Sequence, residues 1–244
     1  MKNTFLLFLC LAVYGFVQAQ DISYGLKGGL NLSSVDGLSS PKVGFHVGGF
    51  VNFDLKSKFS IQPELLFSID NGVYEYTGNF EGIVPYSYKQ DVNTSSLNFP
   101  ILINYSFTDK FALEFGPQLA YLFKANSKNS VTFPFVSGSL SSDVDMSNNS
   151  QTISSTIDGA RDAIVVQHDY ELNKLNFSLN IGTSYKLTEA LFVQARLNLG
   201  LTNFTENANF LAGRDVVDNE IGDPTRIGET LKLSSFQISL GYKF

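Results

Sequence analysis

The most constraining feature of this chain is the alternation over its final segment, Leu233 to Phe244. Phe236, Ile238, Leu240, Tyr242 and Phe244 fall on one face, and Gln237, Ser239, Gly241 and Lys243 on the other. This is the period of a strand with two unlike faces. With an aromatic as its final residue, the segment is expected to have no following helix over its apolar face, so something other than the chain's own core must cover it. A closed antiparallel barrel in lipid meets that need. Hydrocarbon covers the outer face, and closure pairs every backbone donor and acceptor.

The rest of the chain reads as strands for this one to close against. A first strand runs over about 22–32, with Tyr24, Leu26, Leu30 and Leu32 opposite Ser23, Lys27 and Asn31. Residues 43–55 set Val43, Phe45, Val47, Val51 and Phe53 against Gly44, His46, Gly48, Asn52 and Asp54. After a polar turn at 56–58, Phe59, Ile61, Leu65, Phe67 and Ile69 alternate with Ser60, Gln62, Glu64 and Ser68, and 71–91 is expected to be a long loop. Strand four, 95–105, turns Asn98 and Asn104 inward. Strand five alternates Phe111, Leu113, Phe115, Leu119, Tyr121 and Phe123 with Glu114, Gly116, Gln118 and Lys124. The longest loop is expected at 125–169, its later half a hairpin in which 152–157 and 161–167 flank Asp158-Gly159. Strands at 175–185 and 191–201 follow, the second placing Gln194, Arg196 and Asn198 inward, and a third long loop, 203–229, leads to the closing strand. The expectation is an all-β fold: an eight-stranded antiparallel transmembrane β-barrel with short periplasmic turns and long extracellular loops.

Two features separate this pattern from a soluble ligand-binding barrel, which hides its apolar face inside. Connections after strands two, four and six are short, whereas those after three, five and seven are long. The non-apolar face carries Gly, Ser, Asn, Gln and a few charges, which suits a lumen. Phe53, Phe59, Tyr105, Phe111, Tyr185, Tyr242 and Phe244 gather near the short-turn ends as an interfacial girdle, with Phe192 out of phase and facing inward. Pro63, Pro100 and Pro117 each remove a ladder hydrogen bond and are expected to mark bulges.

Met1 to Ala19 has a basic flank at Lys2, an apolar run from Phe5 to Val17 and a small-residue site ending at Ala19. It is expected to be a signal peptide (1–19) cleaved before a single barrel domain (20–244). The one cysteine, Cys10, lies within this segment, which leaves the exported chain neither a disulfide framework nor a thiolate metal site. The balance of 17 basic and 23 acidic residues, net −6, argues against nucleic acid as a partner.

Several motifs carry a family likeness. Tyr24-Gly-Leu-Lys-Gly-Gly-Leu-Asn31, Gln62-Pro-Glu-Leu-Leu66, Leu97-Asn-Phe-Pro-Ile-Leu102 and Gly116-Pro-Gln-Leu119 resemble the PorT-like outer-membrane β-barrel family, often called porin family proteins. The closing stretch, Ser235 to Phe244, resembles that family's last strand. The resemblance implies an outer-membrane location and recognition of the terminal aromatic by the barrel-assembly machinery. It also places prolines after Gln62 and Phe99 within the family pattern, and it leaves function open.

The inward faces put Lys27, Glu64, Glu114 and Arg196 at similar depth, which predicts a lumen charge network acting as a structural plug. His46 on an inward position and His168 beside Asp169 are the two histidines, and neither has a spacing that marks nucleophilic catalysis. Asp143, Asp145, Asp158, Asp162, Asp215, Asp218, Glu220 and Asp223 make the outer loops acidic without a calcium-loop pattern. The short likeness between residues 159–162 and 212–215 reads as chance. No cofactor, metal or enzymatic activity is expected. Expected partners are outer-membrane lipid and lipopolysaccharide, the assembly machinery, and an envelope or surface protein reached through the loops. The expected role is structural or interactive. A narrow passive porin is the alternative, and a lipid-modifying enzyme the third reading.

Overall fold

The computed structural model describes residues 21–35, 41–55, 58–80, 84–132, 139–145, 163–203, 205–215 and 232–244. The strands among them, in chain order, are β1 (Asp21–Val35), β2 (Lys42–Asp54), β3 (Phe59–Phe80), β4 (Val84–Ser106), β5 (Phe111–Thr132), β6 (Ser139–Asp145), β7 (Ala163–Leu172), β8 (Leu175–Lys186), β9 (Leu191–Gly200), β10 (Thr205–Asp215) and β11 (Leu233–Lys243). Eight of them close into a ring in the order β4-β3-β2-β1-β11-β9-β8-β5, with β5 returning to β4. Every neighbouring pair is antiparallel. The seam between first and last strands runs in register from Gly25↔Lys243 to Val35↔Leu233, and Phe244 N donates to Tyr24 O at 2.9 Å. Among the described residues β6 pairs only with the far end of β5, and β7 with β10. No helix among the described residues is long and apolar enough to cross a membrane.

The barrel is polar inside and apolar outside. Ile238 and Leu240 are more than half exposed, while Gln237 and Ser239 on the same strand are 3 % exposed. Such a belt of exposed large hydrophobics suits hydrocarbon as solvent. Two aromatic rows bound the belt. At the short-turn end Phe59 stacks on Tyr105 at 5.0 Å, and Phe244 meets Tyr24 at 5.7 Å. At the other end Phe67 lies 6.3 Å from Phe45 and 6.0 Å from Phe123. Two of the short turns share one device: Thr108 Oγ1 accepts from the amides of Lys110 and Phe111, and Thr188 Oγ1 from those of Ala190 and Leu191. A hydroxyl capping amides two and three residues on fixes a tight reversal without glycine.

The structure departs from sequence expectation first at the three expected long loops. Residues 71–80 and 84–91 are paired strand: β3 and β4 run 22 and 23 residues, about twice the ~9–11 that span a membrane. The regions expected as loops at 125–169 and 203–229 likewise contain the end of β5, β6, most of β7 and all of β10, and β7 pairs with β10 across 163–172 and 205–215. The turn at Asp158-Gly159 and the expected signal segment lie outside the described residues.

The prolines mark no bulge. The residue numbers of paired partners keep a constant sum through Pro63↔Ile101, Pro100↔Gln118 and Pro117↔Leu179. A one-residue slip would have turned the lumen face outward, a larger loss than one ladder bond. The register shift falls instead where Ser96 faces Leu122 and Ser95 faces Lys124, leaving Phe123 extra. There the alternation resets. Phe123 and Lys124 are both exposed, correcting the inward expectation for Lys124, and Ala125 and Ser127 become the buried positions.

Candidate functional site

Midway through the lumen, inward positions on four strands converge. Lys27 on β1, Glu64 on β3, Glu114 on β5 and Arg196 on β9 are each at most 5 % exposed. The Lys27 ammonium lies 2.7 Å from Glu64 Oε2. Arg196 grips Glu64 with both terminal nitrogens at 3.0 Å, in the two-pronged geometry that favours arginine at carboxylates, and Nη2 also reaches Glu114 Oε2 at 3.2 Å. The two cations and two carboxylates balance in charge.

Glutamines two residues from these charges complete the layer. Gln194 accepts from Lys27 at 2.7 Å and donates to Glu114 at 2.6 and 2.7 Å; Gln62 donates to Glu64 at 2.8 Å. Both follow from strand parity, since residues two apart share a face. Gly48, Gly116 and Gly182 are inward positions at this level, leaving room for the long side chains. Arg196 Nε has no hydrogen-bond partner among the described residues.

On the short-turn side, Phe50 and Phe192 meet edge to face at 5.5 Å inside the lumen. Glycine is required opposite them: a Cβ at Gly25 would lie 2.5 Å from Phe50 Cζ, and one at Gly241 would overlap the Phe192 ring. Beyond the layer on the other side, His46 contacts Asn31 Oδ1 through Nδ1 at 2.6 Å and Ser239 Oγ through Nε2 at 2.7 Å. Asn31 Nδ2 and Ser33 Oγ donate to Asp70 Oδ1 at 3.0 and 2.7 Å.

The lumen is therefore divided. A cavity of about 130 Å³ on the short-turn side is lined by Asn52, Gln62, Asn104, Glu114 and Phe192 among others. One of about 50 Å³ on the other side is lined by Asp70, Thr94, Asn98, Gln118 and Asn198 among others. The two share no lining residue, and the charge layer lies between them.

The remaining sequence candidates do not assemble. His168 stands on β7 opposite Phe210, in a different sheet from His46 on β2. Asp143 and Asp145 lie on β6 and Asp215 at the end of β10, while Asp158, Asp162, Asp218, Glu220 and Asp223 fall outside the described residues. Among the described residues no group of three or more metal-ligating side chains forms. Sequence reasoning missed Phe50, Leu66, Leu102 and Asp70 as lumen residues, although each has inward parity on its strand.

The profile described as outer membrane protein beta-barrel domain matches residues 18–206. The chain belongs to this family. An outer-membrane barrel accounts for the apolar belt and the closed ring together. Solved structures similar to this barrel include Neisserial surface protein A (10 % identity, 93 % of this chain and 100 % of that chain covered, TM-score 0.34). A major outer membrane protein from Thermus thermophilus has 11 % identity, coverage of 92 % and 100 %, and a TM-score of 0.43. Acinetobacter baumannii CarO has 11 % identity, coverage of 89 % and 97 %, and a TM-score of 0.39. At these scores the family assignment rests on the profile match. No curated protein matches the chain.

Proposed function

We propose that this outer-membrane barrel has a structurally filled lumen and acts through its outer extension, as a surface-interaction protein or a component of an envelope complex. The observation that carries this reading is the neutral, fully paired charge layer separating two cavities with no lining residue in common. A solute crossing the lumen would have to part Arg196 from two carboxylates in a buried setting, which is strongly unfavourable. A PorT-like placement within the family, export by a cleaved signal, insertion through the terminal strand and contact with lipopolysaccharide belong to the same proposal. They are supported by the Gly- and Pro-containing motifs, by residues 1–19 and by the exposed apolar belt. The protein is proposed to lack enzymatic activity: His46 and Ser239 bond to each other but are 1 % and 3 % exposed, with no open surface for a substrate.

The test is a native gel of gently solubilised membranes from cells carrying either the full chain or a chain in which 75–89 is replaced by a short turn. The full chain is expected in a larger assembly, and the shortened chain as a heat-shifting barrel alone. Identical migration of the two at the size of the free barrel contradicts the reading.

A further inference from the structure

Each ion in the lumen layer has an opposite partner, but among the described residues the carboxylate nearer the outer mouth has none. Asp70 on β3 is 7 % exposed, and among the described residues no cationic side chain pairs with it. Among the described residues its two side-chain hydrogen bonds, from Asn31 and Ser33, both end on Oδ1. Lys27 and Arg196 are committed deeper in the lumen, to Glu64 and Glu114. His46, linked to Asp70 through Asn31, meets an acceptor at Nδ1 and a hydroxyl at Nε2, which the neutral ring satisfies. A carboxylate taken out of water needs either a counter-charge or a proton.

The surroundings offer a place for the counter-charge. Asp70 lines the cavity of about 50 Å³, several times the ~10–15 Å³ that one water requires. Across the ladder, Thr94 is its register partner on β4, and Ser96 is the next inward residue. Both hydroxyls use their protons elsewhere, Thr94 on the Asp70 main-chain carbonyl at 3.2 Å and Ser96 on Asn98 Oδ1 at 3.2 Å. Each oxygen therefore keeps lone pairs for another partner. Hard oxygen ligands of this kind suit alkali and alkaline-earth ions. A single carboxylate balances one positive charge, and no second acidic side chain stands in the cavity lining.

We propose that Asp70, Thr94 and Ser96 form a site for a monovalent cation of the sodium class, held with some of its water at the outer mouth of the lumen. The site does not depend on the surface-interaction reading, since a structural ion suits a filled barrel and a conducting one alike.

The test uses the folded full barrel in detergent, its thermal unfolding followed by gel mobility in sodium chloride against choline chloride at equal ionic strength and neutral pH. The midpoint is expected to rise with sodium until it saturates and to stay flat in choline, a cation too large for the cavity. Asp70→Asn keeps both bonds to Oδ1 and should unfold at the same temperature in the two salts. Thr94→Val keeps the carboxylate and should raise the sodium concentration for half-effect several-fold. Indifference of the wild type to the salt exchange overturns the site, as does a sodium response surviving in Asp70→Asn. Should Asp70→Asn fail to fold, an unchanged half-effect in both Thr94→Val and Ser96→Ala is equally decisive against it. A larger rise with calcium chloride at matched ionic strength overturns the monovalent class. If acidification stabilises the barrel in choline and sodium adds nothing, a proton is the counter-charge and the proposal fails.

Discussion

β4 passes through two environments, and its sequence records both. From 97 to 103 its outward side chains are Leu97, Phe99, Ile101 and Ile103, each exposed, over an inner face with Asn98 and Asn104. From 89 to 95 the outward positions are Lys89, Asp91, Asn93 and Ser95, while the inner face gains Val92 and, from β5, Leu122 and Ala125. The outer face inverts from apolar to polar, yet β3 and β4 stay in one register from Phe59↔Tyr105 to Phe80↔Val84. The sheet does not change along this wall; its solvent does. The bulge at Phe123 is where β5 makes the same passage, keeping an aromatic and a lysine side by side on the outer surface. Above that level the wall continues as an ordinary sheet with water outside, carrying exposed charge pairs such as Lys42–Asp91 and Lys89–Glu75 on its surface.

The largest effect is expected on removing one member of the lumen layer. Glu64→Leu leaves Lys27 and Arg196 facing each other without their shared carboxylate, and loss of one partner from a buried ionic cluster costs about 3–5 kcal/mol. Urea unfolding in detergent should show a loss of that size, and a change under about 1 kcal/mol would mean that the layer is not what holds the lumen closed. The next test puts one substitution into both environments of a single strand. Ile101→Arg sets a charge in the lipid belt and should cost about 2–4 kcal/mol, whereas Asn93→Arg, outward on the same strand in the extension, should change little. Equal effects would erase the boundary drawn here. The smallest effect is expected at Lys89. Its pair with Glu75 at 2.9 Å raises the lysine above its ordinary 10.5, so any contribution is present below that pH and lost as pH rises through the raised value. Because the pair is exposed, Lys89→Ala should leave the unfolding midpoint at neutral pH unchanged within error.

This inversion also explains what can be read from the chain alone. The eight membrane-level strands are legible because lipid forces apolar and polar residues onto opposite faces, so every second residue announces its side. Residues 71–91 read as a loop because the alternation there changes phase: Tyr74, Tyr76, Tyr86 and Tyr88 take the inward parity, with Glu75, Thr77, Ser87 and Lys89 on the outward one, although backbone pairing runs unbroken through 71–80 and 84–91. The convergence of Lys27, Glu64, Glu114 and Arg196 follows from parity plus distance to the nearest short turn. Their partners are less visible: a glutamine such as Gln194 looks like any polar lumen residue until Lys27 and Glu114 are seen on either side of it. Asp70 lies at the edge of an expected loop, where nothing in the sequence singles it out. The prolines mislead because a missing donor suggests a bulge locally, whereas the register is set by the whole ladder on both sides of β3 and β4.

The proposed function requires that the charge layer close the lumen. Planar-bilayer recording of the purified wild-type barrel, from a preparation that shows the heat-dependent gel shift of a folded barrel, tests it most directly. Insertion without ion-conducting steps is the predicted result. Steady single-channel steps, altered when Arg196 is replaced, would contradict it.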